Sequence, residues 1–166
     1  EFTASKCDER FNRDLSFEVA IMDIALQKAL SVSEQYQDSL VLGADTLVVL
    51  NQKIFGKPKN AKDAYRMLSA LNGKTHTVMT GVALVLNGQH KTFYSKAEVT
   101  FENMSDDEIW TYINSDEPFN KAGAYAIQGL AAKHISNIAG DYYAVMGLPL
   151  AKLYQHIKAF ENNTLF

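Results

Sequence analysis

Leu40-Val41-Leu42-Gly43-Ala44-Asp45-Thr46-Leu47-Val48-Val49-Leu50 sets one carboxylate inside an apolar, β-branched run. A run of this kind reads as a strand of a protein core, where a bare charge is costly. Asp45 is therefore expected to be neutralised, paired or holding a metal ion. Gly43 and Ala44 just before it leave room for a ligand to approach the backbone. The competing reading is structural: Asp45 at a strand end, bonding nearby amides or pairing with a lysine, since structural ion pairs also engage carboxylates.

Upstream, Asp14 or Ser16 can cap a helix over about Phe17–Ser33. Ile21, Ile24, Ala25, Lys28 and Val32 share one face of it by three- and four-residue spacing. Lys28 is the polar exception on that stripe, and a lysine packing its stem and exposing its head is the bland account. Downstream, Asn51-Gln52 reads as a turn, and Ile54-Phe55 leads into Gly56-Lys57-Pro58. Asn60 can cap a helix Ala61–Leu71 that buries Ala64, Leu68 and Leu71 and stops at Asn72-Gly73. Thr75–Leu86 and Gln89–Phe101 read as strands joined by the hairpin signal Asn87-Gly88. Ser105 and Glu108 form a capping box ahead of a helix containing Ile109, Trp110, Tyr112 and Ile113. Lys133–Ile138 reads as a strand, Gly147-Leu148-Pro149 as a loop, and Leu150–Phe160 as a closing helix. Strands and helices alternate with one long hairpin between them, which predicts a mixed sheet flanked by helices.

The whole chain has 166 residues, enough for one domain with two lobes around a cleft. A net charge of -3 argues against non-specific nucleic-acid binding, which needs a basic surface. Cys7 is the only cysteine, which excludes an intrachain disulfide, and the four histidines show no metal-ligand spacing. No secretory or membrane-spanning run is present, so a cytoplasmic protein without membrane partners is expected.

Four segments set one functional side chain among glycine, alanine or proline: Gly43–Thr46, Gly56-Lys57-Pro58, Lys121-Ala122-Gly123-Ala124-Tyr125 and Ile127-Gln128-Gly129. A carboxylate with several lysines suits a metal-bound polyphosphate, with Mg²⁺ on the carboxylate and ammonium groups on the remaining phosphate charge. Gln128 carries a donor and an acceptor and could read the edge of a base. Each piece also has a plain alternative as a turn, a surface lysine or a backbone-bonded amide. Gly73-Lys74-Thr75 has the tail of a P-loop, but Leu68 stands where the first glycine is needed.

These segments closely resemble the Maf family of nucleoside triphosphate pyrophosphatases. The likeness runs through Gln27-Lys28-Ala29, Val41-Leu-Gly-Ala-Asp-Thr46, Gly56-Lys57-Pro58, Asn72-Gly73-Lys74-Thr75-His76 and Thr80-Gly81-Val82. It continues through Asp116-Glu117-Pro118, Lys121–Gly129, Gly140-Asp141-Tyr142 and Val145-Met-Gly-Leu-Pro149. The resemblance implies a mixed α/β fold with a curved sheet and a cleft between two lobes, similar to the inosine triphosphate pyrophosphatases. It also implies a divalent cation, Mg²⁺ or Mn²⁺, and often a homodimer. The form of Lys121–Gly129 is similar to the branch acting on dTTP and UTP rather than the one acting on 7-methyl-GTP.

By the same resemblance Asp45 matches the catalytic acidic residue. Glu9, Lys28, Lys57 and Gln128 match other active-site positions, and Thr46 with Gln128 match those tied to substrate choice. The implied reaction is hydrolysis between the α and β phosphates of a pyrimidine nucleoside triphosphate. Asp45 and Glu9 would hold the metal, Lys28, Lys57 and Lys121 would meet phosphate charge, and Gln128 and Thr46 would face the base. Members of the family begin with a Ser-x-Ser-Pro-Arg-Arg type loop that contacts phosphate. The chain opens on Glu1-Phe2-Thr3, which aligns after that loop, so the expectation is a single Maf-like domain over 1–166 without the first strand and loop. The rival class is a non-catalytic nucleotide-binding regulator of cell division and septum formation.

Overall fold

Short-range signals start and stop most of the elements. The computed structural model describes residues 3–5, 7, 10–36 and 38–161. Ser16, in an extended conformation, accepts a hydrogen bond from the Val19 N–H and opens α1 (Phe17–Ser33). Asp14 is not the cap; its backbone N–H donates to Asn12 Oδ1 in the preceding turn. β1 (Val41–Leu50) turns through Asn51 and Gln52, both at positive φ (48° and 63°), into β2 (Lys53–Phe55). Asn60 accepts from the Asp63 N–H at 2.9 Å and starts α2 (Ala61–Leu71). β3 (Thr75–Leu86) and β4 (Gln89–Phe101) are joined by Asn87-Gly88, whose positive φ values match the twist of a two-residue hairpin. The Ser105–Glu108 capping box is formed in full at the start of α3 (Asp106–Ile113).

The remaining chain departs from the sequence pattern. Single-turn 3₁₀ segments occupy Ala122–Ala124 and Leu130–His134, so β5 (Ile135–Gly140) begins two residues later than the expected Lys133. A short helix α4 (Tyr142–Met146), which no periodicity marked, precedes α5 (Leu150–Glu161). The strands form one sheet in the order β2-β1-β3-β4-β5. The fold is mixed α/β, but the sheet is antiparallel rather than a mixture of directions. Two of its connections are two-residue turns, which only antiparallel neighbours can accept. Among the described residues no helix is long and apolar enough to cross a membrane.

The chain divides into two compact units. Glu1–Thr46, Met79–Ser95 and Gly147–Phe166 form the first; Leu47–Val78 and Lys96–Met146 form the second. In the first unit strand alternation sorts the side chains onto two faces. Val41, Ala83 and Val85 pack with Ala25 and Ala29 of α1. Val82, Leu84 and Phe93 pack with Leu153, Ala44, Leu148 and Ile157, on the α5 side. Helix α1 lies unusually close to the sheet, because a Cβ at Gly43 would run into the Ala25 carbonyl and the backbone of Ala29.

The second unit has the larger core. Met67, Leu68 and Leu71 of α2, Ile109, Tyr112 and Ile113 of α3, and Val99 and Phe101 of β4 are buried together with Tyr125 and Ile127. At roughly 25 cal/mol per Å² of apolar surface, each of the large side chains contributes about 1.5–3 kcal/mol.

Candidate active site

Gly43 and Asp45 are two residues apart on β1 and so share the face under α1. Because Gly43 lets the helix settle on the strand, Lys28, one turn beyond Ala25 on α1, reaches the neighbouring carboxylate. Lys28 Nζ donates to Asp45 Oδ1 at 2.5 Å. The two side chains keep 20% and 25% of their surface exposed, so the pair is partly hydrated rather than enclosed. This resolves the apparent cost of a charge in an apolar run: the strand is buried toward its end, at Leu47–Val49, and only half-buried at Asp45. It also decides Lys28, whose head does not snorkel away but turns onto the carboxylate.

Thr46 points the other way. Its hydroxyl lies 2.7 Å from that of Thr80, which is fully buried on β3, and a Cβ on Gly147 would just touch it at 3.5 Å. Alternation therefore puts Asp45 and Thr46 on opposite faces of the sheet. They cannot meet the same atoms of one ligand.

Lys57, Lys121 and Gln128 belong to the second unit and are all exposed. The loops bearing the two lysines are tied by a backbone bond, in which the Gly123 N–H donates to the Gly56 carbonyl at 3.0 Å. Beneath the second loop, His76 Nε2 and the Tyr125 hydroxyl are 2.8 Å apart, and both rings pack edge-on with Phe101. Burial holds His76 neutral, with its pKa lowered to about 4, and pushes the Tyr125 phenol well above the ordinary tyrosine range. The sequence named both residues within its motifs but gave no sign of their pairing; His76 and Tyr125 are 49 positions apart and only folding joins them.

Glu9, expected as a metal ligand, lies outside the described residues. Among the described residues no three His, Cys, Asp or Glu side chains come together as a metal cage. Asp45 alone still fits the way Mg²⁺ is commonly held, by one or two carboxylates with substrate phosphates and water filling the other positions. A cavity of about 340 Å³ elsewhere in the first unit, between the end of α1 and the β3–β4 turn, is lined by Glu34 and Asp38 without a described cation. Those two carboxylates make that cavity a poor fit for a polyanion.

Comparison with known proteins places the whole chain in a family. The model of the Maf-like protein family matches residues 1–160. The chain belongs to the Maf family. It is similar to the dTTP/UTP pyrophosphatase of Bacillus cereus, at 46% identity over 161 residues, 97% of this chain and 84% of that protein. It is similar as well to proteins of the same name from Bacillus cytotoxicus, 46% identical over 162 residues, and Bacillus mycoides, 43% identical over 163 residues. These alignments cover 98% of this chain and 85% of each relative.

Proposed function

We propose that this chain is a nucleoside triphosphate pyrophosphatase that hydrolyses dTTP and UTP to the monophosphate and pyrophosphate. The observation that carries the reading is the Lys28–Asp45 pair, a charged couple open enough to exchange partners, in a chain whose relatives bear that activity in their names. Membership of the Maf family makes the enzyme class the direct conclusion.

In this reading water attacks the α phosphorus in line, the bond from it to the bridging oxygen breaks, and pyrophosphate leaves with that oxygen. Asp45, with Glu9, would hold Mg²⁺ or Mn²⁺. When bound, such a cation supplies charge neutralisation at phosphate oxygens and lowers the pKa of water. Lys28 gives up part of its contact with Asp45 as phosphate enters and meets the negative charge that grows on the leaving group. Lys57 and Lys121, on their tied loops, add cationic charge for the phosphates. Gln128 reads the base edge with its paired donor and acceptor. Thr46, facing away from Asp45, meets the base end of the nucleotide rather than the reacting phosphate. Likeness to the inosine triphosphate pyrophosphatases, a homodimeric state and a cytoplasmic location belong to the same proposal and rest on the family resemblance.

The test is a panel of nucleoside triphosphates incubated with the protein and Mg²⁺, with pyrophosphate and phosphate measured separately. Pyrophosphate from dTTP and UTP is expected. Release of phosphate alone would move the cleavage site, and a preference for 7-methyl-GTP would overturn the branch assignment.

A further inference from the structure

Gln128 is itself exposed, after a buried stretch from Gly123 to Ile127, and no described residue hydrogen-bonds its side chain. Its direction is therefore set by the backbone that carries it. Two side chains hold that backbone at both shoulders. On one side the Ala126 N–H donates to the Tyr112 hydroxyl at 3.2 Å, and that hydroxyl donates to Glu117 Oε1 at 2.9 Å. On the other side the Leu130 N–H donates to Glu117 Oε2 at 3.0 Å. Ala126 and Leu130 stand two residues before and two after Gln128. Gly129 closes the arrangement, since a Cβ there would run into the Glu117 carboxylate.

The clamp is itself anchored. Tyr112 is 5% exposed in the core of the second unit, and the Ser115 hydroxyl, bonded to the Tyr112 carbonyl at 2.6 Å, receives the Glu117 N–H at 3.3 Å. Burial first, and the adjacent Glu117 carboxylate as well, raise the Tyr112 phenol beyond its ordinary range, so the hydroxyl remains a donor at any physiological pH. A carboxylate accepting from a phenol and a backbone amide uses charge-assisted bonds, roughly twice as strong as neutral ones.

We infer that Tyr112 and Glu117 are positioning residues that fix the loop presenting Gln128 and thereby set discrimination between pyrimidine and purine triphosphates. The inference rests on the pyrimidine triphosphate reading above. A merely structural clamp would change melting temperature without changing which base is preferred.

The experiment compares kcat and KM for dTTP, UTP and GTP across the unaltered chain, Tyr112→Phe, Glu117→Gln, Glu117→Ala and Gln128→Ala, with pyrophosphate release as readout and thermal melts alongside. Tyr112→Phe and Glu117→Ala should each lower the dTTP-to-GTP ratio of kcat/KM about tenfold, mainly through KM for dTTP, as expected for one lost buried hydrogen bond. Glu117→Gln keeps one acceptor oxygen and should recover part of that ratio. Tyr112→Phe and Glu117→Gln nearly preserve volume, so they decide the matter if Glu117→Ala does not fold. Ratios within twofold of the unaltered chain in both, while Gln128→Ala loses the preference, would reduce the clamp to a structural device. If the unaltered chain shows no pyrimidine preference, the substrate reading itself fails and this inference goes with it.

Discussion

Two polar pairs in this molecule look alike on paper and are built on opposite terms. Lys28 and Asp45, in the first unit, are both charged, and each keeps a fifth to a quarter of its side chain in water. His76 and Tyr125, in the second, are buried and neutral, and burial pushes both away from their charged forms. The ion pair is largely buried but still reaches water, so a ligand that brings its own charge can take the place of either partner. A buried neutral bond is expensive to leave unmade, at about 1–3 kcal/mol, so it stays closed and stiffens what it holds. The first construction is suited to exchanging partners during a reaction, the second to holding a loop still.

Substitution at the first pair should break function without breaking the fold. Asp45→Asn is expected to reduce pyrophosphate release by about 10³-fold or more, since the proposed role of Asp45 in holding the cation would be lost. Its melting temperature should stay close to that of the unaltered chain. Turnover near the original level would remove Asp45 from the site.

The second pair should show the reverse, a stability effect that depends on pH. His76 titrates near 6.5 when unfolded and at about 4 when folded. Between those values the unfolded chain binds a proton that the folded chain refuses, so its contribution is intact above pH 6.5 and is lost as pH falls toward 4. The full loss is about 3 kcal/mol by linkage. Denaturant titrations at pH 7 and pH 4.5 should show it, and His76→Gln, which can still bond Tyr125, should flatten that part of the profile. An unchanged slope in the variant would show that other groups govern the acid limb.

Lys28→Ala comes next and separates charge stabilisation from packing. A fall of about 10²-fold in kcat, with little change in KM, is expected for a cation that acts mainly on the leaving group. A pure KM effect would make Lys28 a binding residue instead. Smallest is Thr80→Val, which removes the partner of Thr46 and should cost about 1 kcal/mol in unfolding free energy. If it also shifts the dTTP-to-UTP ratio, the face of β1 turned away from Asp45 takes part in substrate choice.

Local readings survived where the physics is local. Ser16, Asn60 and the Ser105–Glu108 box cap their helices as expected, because a cap is a bond between residues three apart. Asn87-Gly88 makes its turn for the same reason: only residues tolerant of positive φ can sit there. Lys133 and His134, expected to open a strand, belong instead to the 3₁₀ run from Leu130 to His134. Its first N–H is taken by Glu117, 13 residues earlier, and its last carbonyl by the Glu102 N–H, contacts invisible to periodicity. The sheet's antiparallel order likewise depends on which strands meet, not on the strands themselves.

By itself the sequence determined the capped helix starts and the hairpin, the anomaly of Asp45 and the family to which the chain belongs, since these rest on short spacings and ordered motifs. Tertiary structure alone decided that Lys28 closes on Asp45, that Thr46 faces away from it, and that Tyr112 and Glu117 hold the loop of Gln128. The physical reason is separation along the chain. Partners 17, 34 and 14 residues apart are brought within hydrogen-bond distance only when helices settle on strands and loops are bonded down.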